Sequence, residues 1–285
     1  MEIYQAIILG IVQGLTELLP ISSSAHLNIL PWIFKWDFIP DSFDIALHFG
    51  TLLAIGIYFF KDWLKLIKGG FLVAVKFIKE KFKAKEIKKV EKEDSANGRM
   101  FWYIVAATIP GGILGLLADK FLSDILEKEW IIATALIVMG IILYIVDKKS
   151  KSETKYEDMT FKQTFIIGVT QALAFIPGVS RSGSTMTTAR LLKVDRSSAA
   201  RYSFMLSAPI VLAATVFKLG DFIEFFAVAN MTGIIAFILG VVFSFIVGLL
   251  VIKFLLKYLQ KGSFKIFAIY RVIFGLLILG IYFFR

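Results

Sequence analysis

Two short stretches of an otherwise apolar sequence carry the side chains that could do chemistry. The first reads Gln13-Gly-Leu-Thr-Glu17-Leu-Leu-Pro20-Ile-Ser22-Ser23-Ser24-Ala-His26. Gln13 and Glu17 are four apart and share one face of a helix. An ionisable side chain in so apolar a segment is costly unless paired or wet, which makes Glu17 a functional candidate. Pro20 stops the helix, and Ser22, Ser23 and Ser24 can cap the next one, offering hydroxyls and free N–H groups at a positive helix end. His26, three residues after Ser23, is near enough on a helical turn to exchange a proton with that hydroxyl or with a substrate oxygen. The plainer alternatives are a carboxylate at an interfacial helix end, and capping, which accounts for one of the three serines.

The second stretch reads Pro177-Gly-Val-Ser180-Arg181-Ser182-Gly183-Ser184-Thr185, followed by Arg190. Its glycines permit close backbone approach, its hydroxyls donate hydrogen bonds, and Arg181 supplies a planar two-pronged donor suited to phosphate. This reads as an oxyanion cradle, and the missing Gly-Lys-Ser/Thr ending separates it from a nucleotide-binding P-loop. A flexible polar turn whose arginine snorkels to the headgroups is the alternative. At an offset of 158 residues Gly10 matches Gly168, Gln13 matches Gln171, Leu15 matches Leu173, Ser22 matches Ser180 and Ser24 matches Ser182. At that offset Ser23 lies opposite Arg181 and Glu17 opposite Phe175. One stretch thus supplies nucleophile and carboxylate and the other positive charge, the separation that phosphoryl transfer needs and a pure transporter does not.

The elements that position these groups are membrane helices. The 285 residues are 58% hydrophobic with 28 Phe and no Cys, so an ordinary water-soluble globule, disulfides and thiolate chemistry are all excluded. The formal charge of +10 reads as loops facing an anionic leaflet, and nucleic acid is not an expected partner. Met1-Glu2 opens without a basic stretch or small-residue cleavage site, so no removable signal is expected. Six stretches are apolar enough to span: Phe43 to Phe60, Met100 to Ala118, Trp130 to Val146, Ala199 to Phe217, Met231 to Ile252 and Phe264 to Phe284. Ile3 to Thr16 and Gln163 to Ile176, about 14 residues each, have the length of a re-entrant or interfacial segment, and each is followed by its polar tip.

Lys61 to Arg99 holds 12 basic and 6 acidic residues against 2 and 4 in Asp119 to Glu129, which makes the first loop cytoplasmic and the second external. Lys148 to Lys162 and Lys253 to Lys265 are again lysine-rich, and Lys218 to Glu224 is a slightly acidic loop. Both termini then lie outside. Lys76 to Asp94 is either an amphipathic interfacial helix or a solvated loop. The matched offset suggests one all-α membrane domain over 1–285, built of inverted repeats at 1–146 and 160–285, each with one re-entrant helix-loop-helix and three crossings; coincidence between two apolar, serine-rich stretches is the alternative.

QGLTE followed by LPISSSAH, together with PGVSRSGST, resembles the bacterial undecaprenyl-diphosphate phosphatase (bacitracin-resistance) family. FDIALHFGTLLAI from Phe43, YSFMLSAP from Tyr202 and FAIYR from Phe267 extend the resemblance along nearly the whole chain. It implies an inner-membrane phosphatase, open to the outer face, that cleaves undecaprenyl diphosphate to the monophosphate carrier used in cell-wall synthesis. It also implies Ser23 as nucleophile, His26 as its proton partner or as acid for a leaving group, and Ser180, Arg181, Ser182 and Thr185 as phosphate ligands. Earlier proposals for the family also give the histidine a nucleophilic role. Ser22, Arg201 and Arg271 are weaker candidates by the same analogy. Glu17 with Gln13 matches an acidic motif associated with Mg²⁺ or Ca²⁺, although Gln13 stands where some members have Glu. A polyprenyl diphosphate lipid and the bilayer are the expected partners, and a homodimer stays open. A transporter or flippase for an anionic lipid or solute is the rival class, and a non-catalytic membrane scaffold the third.

Overall fold

The computed structural model describes residues 2–36, 41–81, 91–126 and 128–284, without the side chains of 41 and 115–126. Among these residues run α1 (Ile3–Thr16), α2 (Ser23–Phe34), α3 (Asp41–Tyr58), α4 (Phe60–Lys81), α5 (Lys92–Leu126), α6 (Glu129–Lys149), α7 (Phe161–Gln171), α8 (Arg181–Leu191), α9 (Arg196–Phe217), α10 (Leu219–Val228), α11 (Met231–Tyr258) and α12 (Lys265–Phe284). The protein is an all-α, multi-pass integral membrane protein. By length and composition α6, α9, α11 and α12 can each cross a bilayer, and α3 with α4, bent by 79° at their junction, makes a fifth crossing if the pair is one broken span.

The expected span at Phe43 to Phe60 therefore does not end in a loop. It bends and continues as α4 through Lys81, over the first half of the lysine-rich stretch. The physical reason is a helical hairpin: Gly69 lets α4 approach α5 so closely that a Cβ there would meet the Gly98 nitrogen at 2.6 Å. Lys65–Glu93 at 3.1 Å and Lys68–Asp94 at 2.9 Å line its outer face. Hydrophobic pattern alone hid this helix because its charges sit on exposed positions. The span at Met100 to Ala118 lies within α5, whose backbone runs on through most of the expected external loop to Leu126. Residues 82–90, part of the expected interfacial segment, lie outside the described residues. The slightly acidic Lys218 to Glu224 is helical as well, because Phe222 and Phe225 pack on Phe237, the latter with ring centroids 5.1 Å apart.

Both short segments form helix pairs broken at the polar tip. In α7 and α8, 11 residues each, each arm is about 16 Å long, half a bilayer core. Their feet meet: Gln163 Nε2 donates to the Leu192 carbonyl at 3.1 Å, so the pair returns to the side it came from. Arg190 anchors that foot, giving Nε to Asp147 at 3.0 Å and Nη2 to the Ser150 carbonyl at 2.8 Å. Arg190 thus belongs to the foot and not to the cradle. Close backbone contact seats both first arms. A Cβ at Gly10 would strike the Gly240 carbonyl of α11, and one at Gly168 the Ala107 carbonyl of α5. Such small-residue contacts hold membrane helices together where burial of apolar surface cannot.

Candidate active site

Each tip turns on a serine held where L-residues seldom sit: Ser22 at φ 75° and Ser180 at φ 72°. Such a backbone costs on the order of 1–3 kcal/mol and persists only when its surroundings over-determine it. Here the surroundings do. Ser22 Oγ accepts from Ala25 N and Ser180 Oγ from Gly183 N, capping α2 and α8 in the same way. Arg271, fully buried on α12, reaches across both tips, donating to the Pro20 carbonyl at 3.1 Å and to the Gly178 and Val179 carbonyls at 2.8 and 2.9 Å. Pro20 and Gly178 are themselves 158 residues apart. Ser182 Oγ closes the junction by donating to the Leu19 carbonyl at 2.9 Å.

With the tips locked, Ser23 and Arg181 become the first residues of α2 and α8, so two positive helix ends converge. Between them lies Glu17, 6% exposed. Its Oε1 pairs with Arg181 Nη2, and its Oε2 accepts from Ser23 Oγ at 2.5 Å and Gln13 Nε2 at 3.3 Å. His48 Nε2 from α3 stands 3.3 Å from the same oxygen, while its Nδ1 lies 2.9 Å from the Asp44 carbonyl. A charge-assisted bond of this kind, from hydroxyl to carboxylate, is the arrangement from which a carboxylate can take a proton.

The group opens onto a cavity of about 260 Å³ lined by Glu17, Ser23, Ser24, Asp44, His48, Gln171, Ser180 and Arg181 on the polar side and by Ile45, Ala174, Phe175, Ile210, Val211 and Ala214 on the apolar side. One wall therefore suits a charged headgroup and the other a hydrocarbon chain.

The expected site residues separate into three groups. Glu17, Ser23, Ser180 and Arg181 line the cavity together. Ser22, Ser182 and Thr185 are buried beneath it as tip scaffolding, Thr185 Oγ1 donating to the Arg181 carbonyl at 2.8 Å and sharing a 2.7 Å bond with Ser203. Arg271 joins that scaffolding as the clasp of both tips, whereas His26 and Arg201 are placed elsewhere. His26 sits beside Ser23 in sequence, yet its Nδ1 is 2.6 Å from the Ser22 carbonyl and its Nε2 2.7 Å from Tyr270 Oη, and its ring stacks on Phe274 at 4.4 Å. With Nδ1 donating to a carbonyl, Nε2 is left to accept from the phenol. Arg201 pairs with Asp62 at 3.3 Å and Glu157 at 3.0 Å, its guanidinium 4.3 Å from the Tyr156 ring centroid.

As placed, Gln13 and Glu17 do not fit a resident divalent-cation site. A hard cation wants several oxygen ligands, but Gln13 turns its nitrogen toward Glu17, leaves its own Oε1 buried without a partner, and Glu17 already meets Arg181, Ser23 and His48. Among the described residues no group of three or more His, Asp or Glu gathers to hold a metal. The sequence reasoning passed over His48 and Gln171. An ionisable residue four positions after Asp44 in an apolar span was the available signal for His48, and its pairing with Glu17 was not visible without the fold.

Comparison with known proteins identifies the family. The family model described as bacitracin resistance protein BacA matches residues 6–277. A protein named undecaprenyl-diphosphatase from Gemmatimonas aurantiaca is 43% identical over 98% of this chain and 97% of its own. Proteins of the same name from Pelotomaculum thermopropionicum, 42% identical over 98% and 96%, and from Moorella thermoacetica, 40% identical over the full length of both, are similarly close. A match of this length at this identity makes the chain a member of the bacitracin-resistance protein family.

Proposed function

We propose that this protein is a membrane phosphatase that hydrolyses undecaprenyl diphosphate to undecaprenyl phosphate and inorganic phosphate, returning the lipid carrier to cell-wall synthesis. The observation that carries the reading is the joining of Ser23 and Arg181, from opposite ends of the chain, on the single carboxylate of Glu17 at the mouth of the cavity. The relatives' name states the substrate.

The terminal phosphate lies against Arg181 and the first-turn N–H groups of α2 and α8, with the prenyl chain along Ile210, Val211 and Ala214. Ser23 Oγ attacks the terminal phosphorus while Glu17 takes its proton. The bond to the bridging oxygen breaks and undecaprenyl phosphate leaves. As it leaves, the lipid phosphate takes that proton from Glu17, so the restored carboxylate can deprotonate the water that cleaves the phosphoserine, and Glu17 returns the proton to Ser23 Oγ as inorganic phosphate departs. Direct attack by water uses the same groups. In this scheme Glu17 handles the proton, and His26 holds α2 against α12. A divalent cation entering with the diphosphate would share its negative charge.

We further read 1–146 and 160–285 as inverted repeats, supported by the matched tips, the matched glycine contacts and the shared Arg271. We also read the foot of the second pair as facing the cytoplasm, the cavity as open to the external leaflet and both termini as outside, a reading supported by the lysine-rich stretch after α6 against which that foot lies.

The test is phosphate release from undecaprenyl diphosphate by purified wild type and Ser23→Ala, with and without chelator and without any gradient. Release by wild type and its loss in Ser23→Ala support the reading. Flux across sealed vesicles without release would replace it with transport.

A further inference from the structure

We propose that Gln171 is a ligand of the substrate's terminal phosphate, contributed by the second arm beside Arg181. The proposal rests on the phosphatase reading above and adds to it a binding residue. Gln171 ends α7, is 2% exposed and lines the cavity with Glu17, Ser23 and Arg181. Both of its amide atoms, Nε2 and Oε1, lack a hydrogen-bond partner among the described residues. Because both are free, the result does not depend on which way the amide is turned.

Buried polar groups are nearly always satisfied, so a wholly unpaired amide on a cavity wall marks a missing partner. Its counterpart in the first arm shows what the position normally does. Gln13 gives its Nε2 to Glu17, but the residue opposite Glu17 in the second arm is Phe175, so Gln171 has no carboxylate to bind. Its nitrogen packs over Gly111 of α5, where a Cβ would come within 3.0 Å, and among the described residues it has no partner. The anionic oxygen that Gln13 finds in the protein is, on this proposal, brought to Gln171 by the ligand. A terminal phosphate supplies acceptor oxygens for Nε2 and, where an oxygen carries a proton or binds water, a donor for Oε1.

The test uses the full-length protein in detergent. Inorganic phosphate is titrated against thermal unfolding, and kcat and KM are measured with undecaprenyl diphosphate, for wild type, Gln171→Met and Gln171→Asn. Methionine keeps the volume and removes both polar atoms, so its melting temperature should equal or exceed that of wild type. Its KM, and the phosphate concentration that half-protects, should each rise about tenfold, with a smaller change in kcat. Asparagine, which keeps the amide but withdraws it by one methylene, should fall between the two and serves if Gln171→Met does not fold. A Gln171→Met protein whose KM and phosphate midpoint both stay within about twofold of wild type overturns the proposal, as does a changed phosphate midpoint with an unchanged KM for the lipid. If wild type itself releases no phosphate from the lipid, the phosphatase reading fails instead.

Discussion

Replacing Glu17 by Gln separates the two jobs assigned to that carboxylate. Ser23 Oγ lies 2.5 Å from Oε2, and an amide of the same shape can still receive the hydrogen bond but cannot accept the proton. General-base catalysis contributes about 10²–10⁴-fold, so kcat should fall by that factor, equivalent to roughly 3–5 kcal/mol of barrier. Phosphate binding should move the opposite way. In the resting site the Arg181 guanidinium is paired with Glu17, and phosphate must compete for it. Neutralising the competitor should tighten phosphate binding about three- to tenfold. Breaking a buried pair costs about 3–5 kcal/mol, but Arg181 is 13% exposed at the mouth of a cavity, so a loss of about 1–3 kcal/mol in stability is expected. Phosphate release, phosphate titration against thermal unfolding, and denaturant midpoints measure the three effects on one preparation. Turnover by Glu17→Gln within tenfold of wild type, or weaker phosphate binding in it, would refute the assignment.

Ser23→Ala should lower turnover by ~10³-fold or more while leaving phosphate protection intact, and retention of turnover would remove the serine route. His26→Ala should destabilise the fold by ~2–4 kcal/mol, since the Ser22 carbonyl and Tyr270 hydroxyl lose their partner and Phe274 its stacking ring. Its kcat per folded molecule should stay within about tenfold of wild type, and a larger loss, approaching the 10²–10⁴-fold of a general base, would restore His26 to the chemistry. Gly168→Ala places a methyl against the Ala107 carbonyl and should cost about 1–3 kcal/mol by parting α7 from α5. Gln13→Glu adds a second carboxylate beside Glu17 and should lower the half-saturating divalent-cation concentration about tenfold, read from chelator-buffered phosphate release.

What the sequence determined by itself is local. Apolar runs too short to span, stopped by Pro20 or Pro177 and followed by serines, read as short helix arms ending in a capped turn. The costly Glu17 and the donor-rich tip around Arg181 were legible for the same reason, since the penalty for burying them belongs to the residues themselves. Charge counts were less informative, because the lysines of α4 occupy the exposed face of a helix and read as a loop.

Which distant groups would meet was decided by the tertiary structure. Proximity in sequence favoured His26 as partner of Ser23, yet the turn at Ser22 and the packing of α2 on α12 point that ring at Tyr270. The histidine that reaches Glu17 is His48, because α3 packs beside α1 and against α11, where Ser244 Oγ bonds the Leu47 carbonyl at 2.7 Å. Arg271, a weaker site candidate by analogy in the sequence, becomes the clasp of both tips only when α12 lies across them. Helix propensity and hydrophobic length are summed along the chain, whereas hydrogen bonds between side chains depend on helix rotation and depth, which packing alone sets.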